Sequence, residues 1–195
     1  MAVYPFETAL PSAASVRGHL SDLRALLALS MLMAEAADED DILELAAEAV
    51  STLTSCSVEG IYIGDGQWRR TMTPCNGFAL RAYLQDHMAT LSRMGGAVDI
   101  PVRRWAWAYP MQSISGSAGF VVISTAESPH AHHQFQLRLL AQQTGLALTN
   151  LRLRLQERRT AAEQATLNAR LEETVGALRR GMEIHERLTE AAASG

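Results

Sequence analysis

Between residues 135 and 192 the chain carries no proline, and its apolar residues recur in alternating steps of three and four. One series runs Leu148, Leu151, Leu155, with Thr144 before it and Ala162 and Ala165 after it. A second runs Leu171, Val175, Leu178, Met182, His185. A stripe this narrow is the width of a seam against one partner helix. Leu167 fits neither phase, as if about four residues had been inserted, and such a stutter locally unwinds a supercoil. At 1.5 Å per residue, a helix of about sixty residues reaches about 85 Å, past the end of one small domain. Its far half therefore needs another chain, or another part of its own protein, to cover its stripe. Packing back on its own domain suits residues 137–148 but not residues 171–188, where the sheet has been left behind. Glu183 and Arg187, four apart, solvate the outer side. The expectation is a homodimer.

Composition bounds the remainder. A chain of 195 residues is one ordinary domain plus an appendage, and 48% apolar residues suffice for one core. A net charge of −4 argues against broad nucleic-acid binding, which needs a basic face. Every basic side chain is arginine, which together with the alanine content points to a GC-rich bacterial genome. Two cysteines, Cys56 and Cys75, are too few for a disulfide framework and fit a cytoplasmic protein. The N-terminus lacks a secretory signature, and the longest apolar-leaning run, residues 25–34, is too short to span a bilayer. A soluble protein with no membrane partner is expected.

Residues 1–14 have two prolines and no periodicity, and read as a loose extension. Residues 15–37 form a helix with Val16, Leu20, Leu23, Leu27, Met31 and Ala34 on one face, broadened by Leu26, Leu29 and Met33. So wide a face implies burial on two sides, against the domain and against a partner through Leu23, Leu27 and Met31. The acidic run Asp38-Glu39-Asp40-Asp41 starts a second helix, with Asp40 or Asp41 as N-cap and Ile42, Leu45, Ala46, Val50 and Leu53 turned inward.

The period then changes to two. Residues 57–63 and 67–72 read as strands joined at Gly64-Asp65-Gly66. A turn cluster at 73–77 leads to an amphipathic helix over 78–93, with Leu80, Tyr83, Leu84, His87 and Leu91 on its buried side, ended by Gly95-Gly96. Residues 105–111 alternate strictly, Trp105, Trp107, Tyr109 and Met111 on one face and Ala106 and Ala108 on the other. Residues 119–124 are apolar enough to be a central strand covered on both faces. Ser128-Pro129 supplies an N-cap and a first-turn proline for the long helix. Paired strands between helices imply an antiparallel sheet in an α+β domain.

This order resembles the GAF domain, a ligand-sensing module related to PAS domains, over roughly residues 20–150. The best local match is Tyr109-Pro110-Met111, a glycine-containing hairpin, then Gly119-Phe120-Val121-Val122-Ile123. The segment Leu171-Glu172-Glu173-Thr174-Val175 through Leu178 to Thr189 resembles the connector that follows the sensor in PucR-type transcriptional regulators. Such proteins continue into a middle domain and a C-terminal helix-turn-helix. That continuation would begin at Gly195, so the resemblance implies either a piece of a longer regulator or a protein that has lost its output, and no base or phosphate contact is assigned to these residues.

Candidate sites are few. Trp105, Trp107 and Tyr109, with Trp68, Phe78 and Tyr83, either line a small-molecule pocket or fill an aromatic core. The Asn-Lys-Phe-Asp-Glu signature of the family's cyclic-nucleotide binders is absent, because the chain has no lysine. His130 and His133 share a face at the start of the long helix, but no further ligand completes a metal set. His185, on the seam, sets register. Cys56 reads as a buried, inert thiol, and a GAF-fold methionine sulfoxide reductase would need further cysteines. No catalytic residue, metal or cofactor is assigned. The sequence thus divides into an extension (1–14), a GAF/PAS-like sensor (15–150) and a coiled-coil helix for signalling and dimerisation (151–195). The expected function is a non-enzymatic module that relays an unknown small-molecule effector to an output domain. A ligand-free dimerisation module is the alternative, and a thiol enzyme a third.

Overall fold

The computed structural model describes residues 13–64, 67–71, 77–100, 103–113 and 116–193. The elements are α1 (Ala13–Glu35), α2 (Glu39–Leu53), β1 (Ser57–Ile63), β2 (Gln67–Thr71), α3 (Gly77–Asp86), α4 (Met88–Met94), β3 (Gly96–Ala97), β4 (Trp105–Ser113), β5 (Gly116–Thr125) and α5 (Ala131–Ala193). All strand pairs are antiparallel, in the order β2-β1-β5-β4-β3. The architecture is the expected α+β one, with a long C-terminal helix.

β5 lies in the middle of the sheet, and residues 118–124 are buried throughout. Its alternate side chains serve two layers, which is why the run is apolar rather than alternating. Val121 and Ile123 join Ile61, Tyr109 and Met111 against Met33 of α1, Ile42 and Val50 of α2, and Leu137, Leu140, Leu148 and Leu151 of α5. Phe120 and Val122 join Tyr62, Ala106 and Ala108 against Leu84 of α3 and Leu91 of α4. The alanines of β4 thus let α4 lie close to the sheet.

α1 and the start of α5 run parallel. His132 Nε2 lies 3.0 Å from Asp22 Oδ2, and Ser30 Oγ donates to Gln143 Oε1 at 2.7 Å, so the partners advance together along both helices. Leu26 and Met33 of α1 are buried, while Leu23, Leu27 and Met31 are more than half exposed.

Four local expectations are corrected. The cap of α2 is Asp38, extended at φ −140° and ψ 176°, whose Oδ1 accepts from Asp41 N–H at 2.9 Å. Asp40 and Asp41 instead stand in the first helical turn, where carboxylates still suit the macrodipole. The helix expected over 78–93 is two helices, broken at His87 (φ −105°, ψ 7°). Tyr83 and His87 are exposed rather than buried, their rings stacked 4.4 Å apart, and Leu84 and Leu91 carry the buried side. Ser128 and Pro129 precede α5 rather than opening it, and the Pro129 carbonyl accepts from the Gln134 side-chain amide at 2.8 Å. Gly95 does end α4, at φ 67°, where a Cβ would stand 2.5 Å from the Ala108 carbonyl oxygen.

The chain divides into two compact units at Leu151 and Arg152. The described residues of the second are the remainder of α5, with Leu167, Leu171, Val175, Leu178, Met182 and Ile184 all exposed. Among the described residues, no helix is long and apolar enough to cross a membrane.

Candidate functional site

A carboxylate stands inside the sheet. Glu59 of β1 is 8% exposed, at a register shift between Val58 and Gly60 where the strand bulges against β5. Its Oε1 accepts from Ser124 Oγ at 2.5 Å and from Arg103 Nε at 3.2 Å. Ser124 pairs with Ala106 and lies two residues from Val122, so this polar cluster belongs to the face covered by α3 and α4. The cluster satisfies the desolvated carboxylate, because a buried charge is tolerable only when paired and hydrogen-bonded. It also sets one carboxyl group into the otherwise apolar, buried layer of Tyr62, Phe120, Val122, Ala106 and Ala108. The sequence reading missed it. The available signal was a glutamate in the middle of an apolar strand.

The aromatic residues are not assembled as one group. Tyr109 is buried, and Trp105 and Trp107 are half-buried, on the opposite face, toward α2 and α5. Tyr83 is on α3, on the far side of the sheet from them. The side chains of Trp68 and Phe78 lie outside the described residues, although the Trp68 backbone pairs with Tyr62. Packing explains the separation: β4 alternates, so its large residues share the layer of the bulky helices and its alanines share the layer of α3. Within the α2/α5 layer, Ala46, Val50, Ile61, Met111, Ile123, Leu140 and Thr144 leave a void of about 10 Å³. That is about one water, not a ligand. Burial, reinforced by nearby Cys56 and opposed by Arg138, pushes the Tyr109 phenol up to about 12.

Other candidates are placed as follows. Cys56 is buried, and Cys75 lies outside the described residues. The ring of His132 lies 6.0 Å from that of His133, and the ring of His130 lies 6.2 Å from it, while His132 itself faces Asp22. Among the described residues, no group of three or more His, Cys, Asp or Glu is arranged to hold a metal.

The expected seam splits into two fates. Leu148 is fully buried and Leu151 is 4% exposed, both within the α2/α5 core. These two are corrected: they pack on their own domain and are unavailable to a second chain. The three-and-four spacing satisfies sheet packing as well as a coiled coil, so spacing alone does not separate the two roles. Leu155 is exposed, and Leu171, Val175, Leu178 and Met182 are 62%, 45%, 64% and 70% exposed. Four large apolar residues are thus aligned on one exposed stripe.

No family model matches the sequence, and no curated protein sequence matches it. Among solved structures, the chain is similar to the GAF domain of a proposed sensor histidine kinase from Pseudomonas syringae pv. tomato. Identity is 18% and the TM-score 0.51, over 78% of this chain and 99% of that one. The likeness is one of fold: a GAF-like antiparallel sheet between helices.

Proposed function

We propose that this chain is a non-enzymatic sensory and dimerisation module of a bacterial, cytoplasmic transcriptional regulator. In this reading residues 15–150 form the sensor and residues 151–195 form a paired helix that carries its state to an output domain. The observation that carries the proposal is the exposed stripe of Leu171, Val175, Leu178 and Met182 on an unbroken 63-residue helix. Fully burying a side chain of this size is worth about 1.5–3 kcal/mol, so eight of them across two chains, each part-exposed to begin with, are of the same order as the association cost of about 4–15 kcal/mol. The GAF-like fold supports the sensory half, and the resemblance of 171–189 to the PucR-type connector supports the regulatory half. The exposed α1 residues Leu23, Leu27 and Met31 give the partner a second place to pack.

The effector is proposed to approach from the α3/α4 side of the sheet, where the Glu59–Arg103 pair supplies a charged group; Tyr62 and Phe120 on that side are buried core. Trp105, Trp107 and Tyr109 support it from behind as core. A ligand works this way only if it binds one helix packing better than another. The filled α2/α5 layer favours a second reading, a ligand-free structural dimeriser. Native mass spectrometry of freshly purified protein separates them. A dimer carrying extra mass, or one whose melting rises with a small molecule, supports sensing. A bare dimer that no effector panel stabilises supports the structural reading, and a monomer overturns both.

A further inference from the structure

α1 lies on the domain more lightly than its neighbours do. Among its described side chains, Leu26 and Met33 are buried. Met33 belongs to the α2/α5 core, with Leu29 against its edge, whereas Leu26 belongs to neither core layer. α2 shows the contrast, with Ile42, Leu43, Ala46, Ala49 and Val50 all buried. Upstream of Met33, two polar contacts tie α1 to α5. Ser30 Oγ donates to Gln143 Oε1 at 2.7 Å, and Asp22 Oδ2 lies 3.0 Å from His132 Nε2, both only part-buried.

Between those two contacts α5 buries an amide. His132, Gln136 and Gln143 recur at steps of four and seven, which places them on one face of the helix, and the outer two meet α1. Gln136 is 3% exposed, and its Oε1 meets no hydrogen-bond donor among the described residues. α1 carries Leu26 midway between Asp22 and Ser30 at steps of four, so an aliphatic residue lies along this stretch. A buried amide without a partner forfeits the hydrogen bonds it makes in water, and native structures keep few such groups. The opposing gain here is the cover of one leucine, an effect of similar size.

We infer that residues 21–30 form a hinged arm that lifts off α5, pivoting at Met33, and that the stranded Gln136 amide keeps the lifted state accessible. Lifting hydrates the amide, uncovers Leu26 and releases the two part-buried contacts, while the α2/α5 core stays closed. Local opening of this kind takes far less free energy than global unfolding. The arm is an element with two packings, the property a relay requires, and a ligand or partner biases it only by binding one packing better. It lies within the first compact unit and does not depend on the dimer.

Amide hydrogen exchange of the full chain, read by mass spectrometry on peptides from α1, α2 and β5, tests the arm, because exchange tracks the population of the open state. In the parent, peptides from 21–30 are expected to exchange faster than those from α2. Gln136→Met keeps the length of the side chain and removes its amide. It is expected to slow exchange at 21–30 about tenfold and to leave α2 and β5 unchanged. Ser30→Ala removes one tie and is expected to speed exchange at 21–30 about threefold, again with α2 and β5 unchanged. Uniform slowing of all three elements in Gln136→Met overturns the inference, because the amide then acts on the whole domain. Unchanged or faster exchange at 21–30 in that variant overturns it too, since Gln136 is then satisfied where it lies, as by a bridging water. A chain that sediments as a monomer removes the dimer and leaves this exchange pattern in place.

Discussion

Glu59, Arg103 and Tyr109 show how single residues in this domain answer to the layer they occupy. Arg103 is 40% exposed at its side chain and its partner Glu59 only 6%, so the pair is partly screened. Arg103→Ala is therefore expected to cost about 1–2 kcal/mol in urea unfolding, below the cost for a fully buried pair. An unchanged midpoint would mean that Arg103 is not needed to satisfy the carboxylate. For Tyr109 the folded phenol sits at about 12, above the ordinary value. Its stabilising contribution is complete below the unfolded value of about 10 and is lost as pH rises toward 12. Tyr109→Phe should flatten the decline of thermal stability across that interval, and an equally steep decline would contradict the assignment. The alternation Trp105, Trp107, Tyr109 against Ala106, Ala108 was legible in the sequence. Which helices cover which face was not, because period two defines two faces and names neither neighbour.

At the scale of elements, strand β1 and the central place of β5 followed from pattern, while helix ends and breaks did not. The acidic run announced a helix start, but any of its aspartates satisfies the sequence preference, and only backbone conformation selects Asp38. Asp38→Ala should lower stability by about 1 kcal/mol, and Asp40→Ala by less, measured by chemical denaturation. Gly145 passed unnoticed in a helix of strong formers. A Cβ there would lie 2.8 Å from the Met111 carbonyl carbon and 2.9 Å from the Gln112 carbonyl oxygen, so this glycine sets how closely α5 approaches β4. Alanine would gain about 1 kcal/mol in helix propensity but meet rigid backbone, and overpacking of this kind costs about 1–3 kcal/mol. The expected result for Gly145→Ala is a lower melting temperature. A rise would mean that the helix and strand can separate freely.

For the whole molecule, the legible feature was a stripe too narrow and too long for one small domain. Its first two leucines, Leu148 and Leu151, turned out to belong to the core, since the same spacing serves a helix lying on a sheet. Its later part, Leu171 to Met182, remains exposed, and the relay proposal depends on a second chain covering it. Sedimentation equilibrium of the full chain, from low to high micromolar, tests that dependence most directly when run beside a Leu171→Glu/Leu178→Glu variant. The account predicts a dimer for the chain and a monomer for the variant, with the thermal unfolding of the sheet domain still present in both. A monomer at every concentration, or a variant that dimerises as well as the parent, would contradict it.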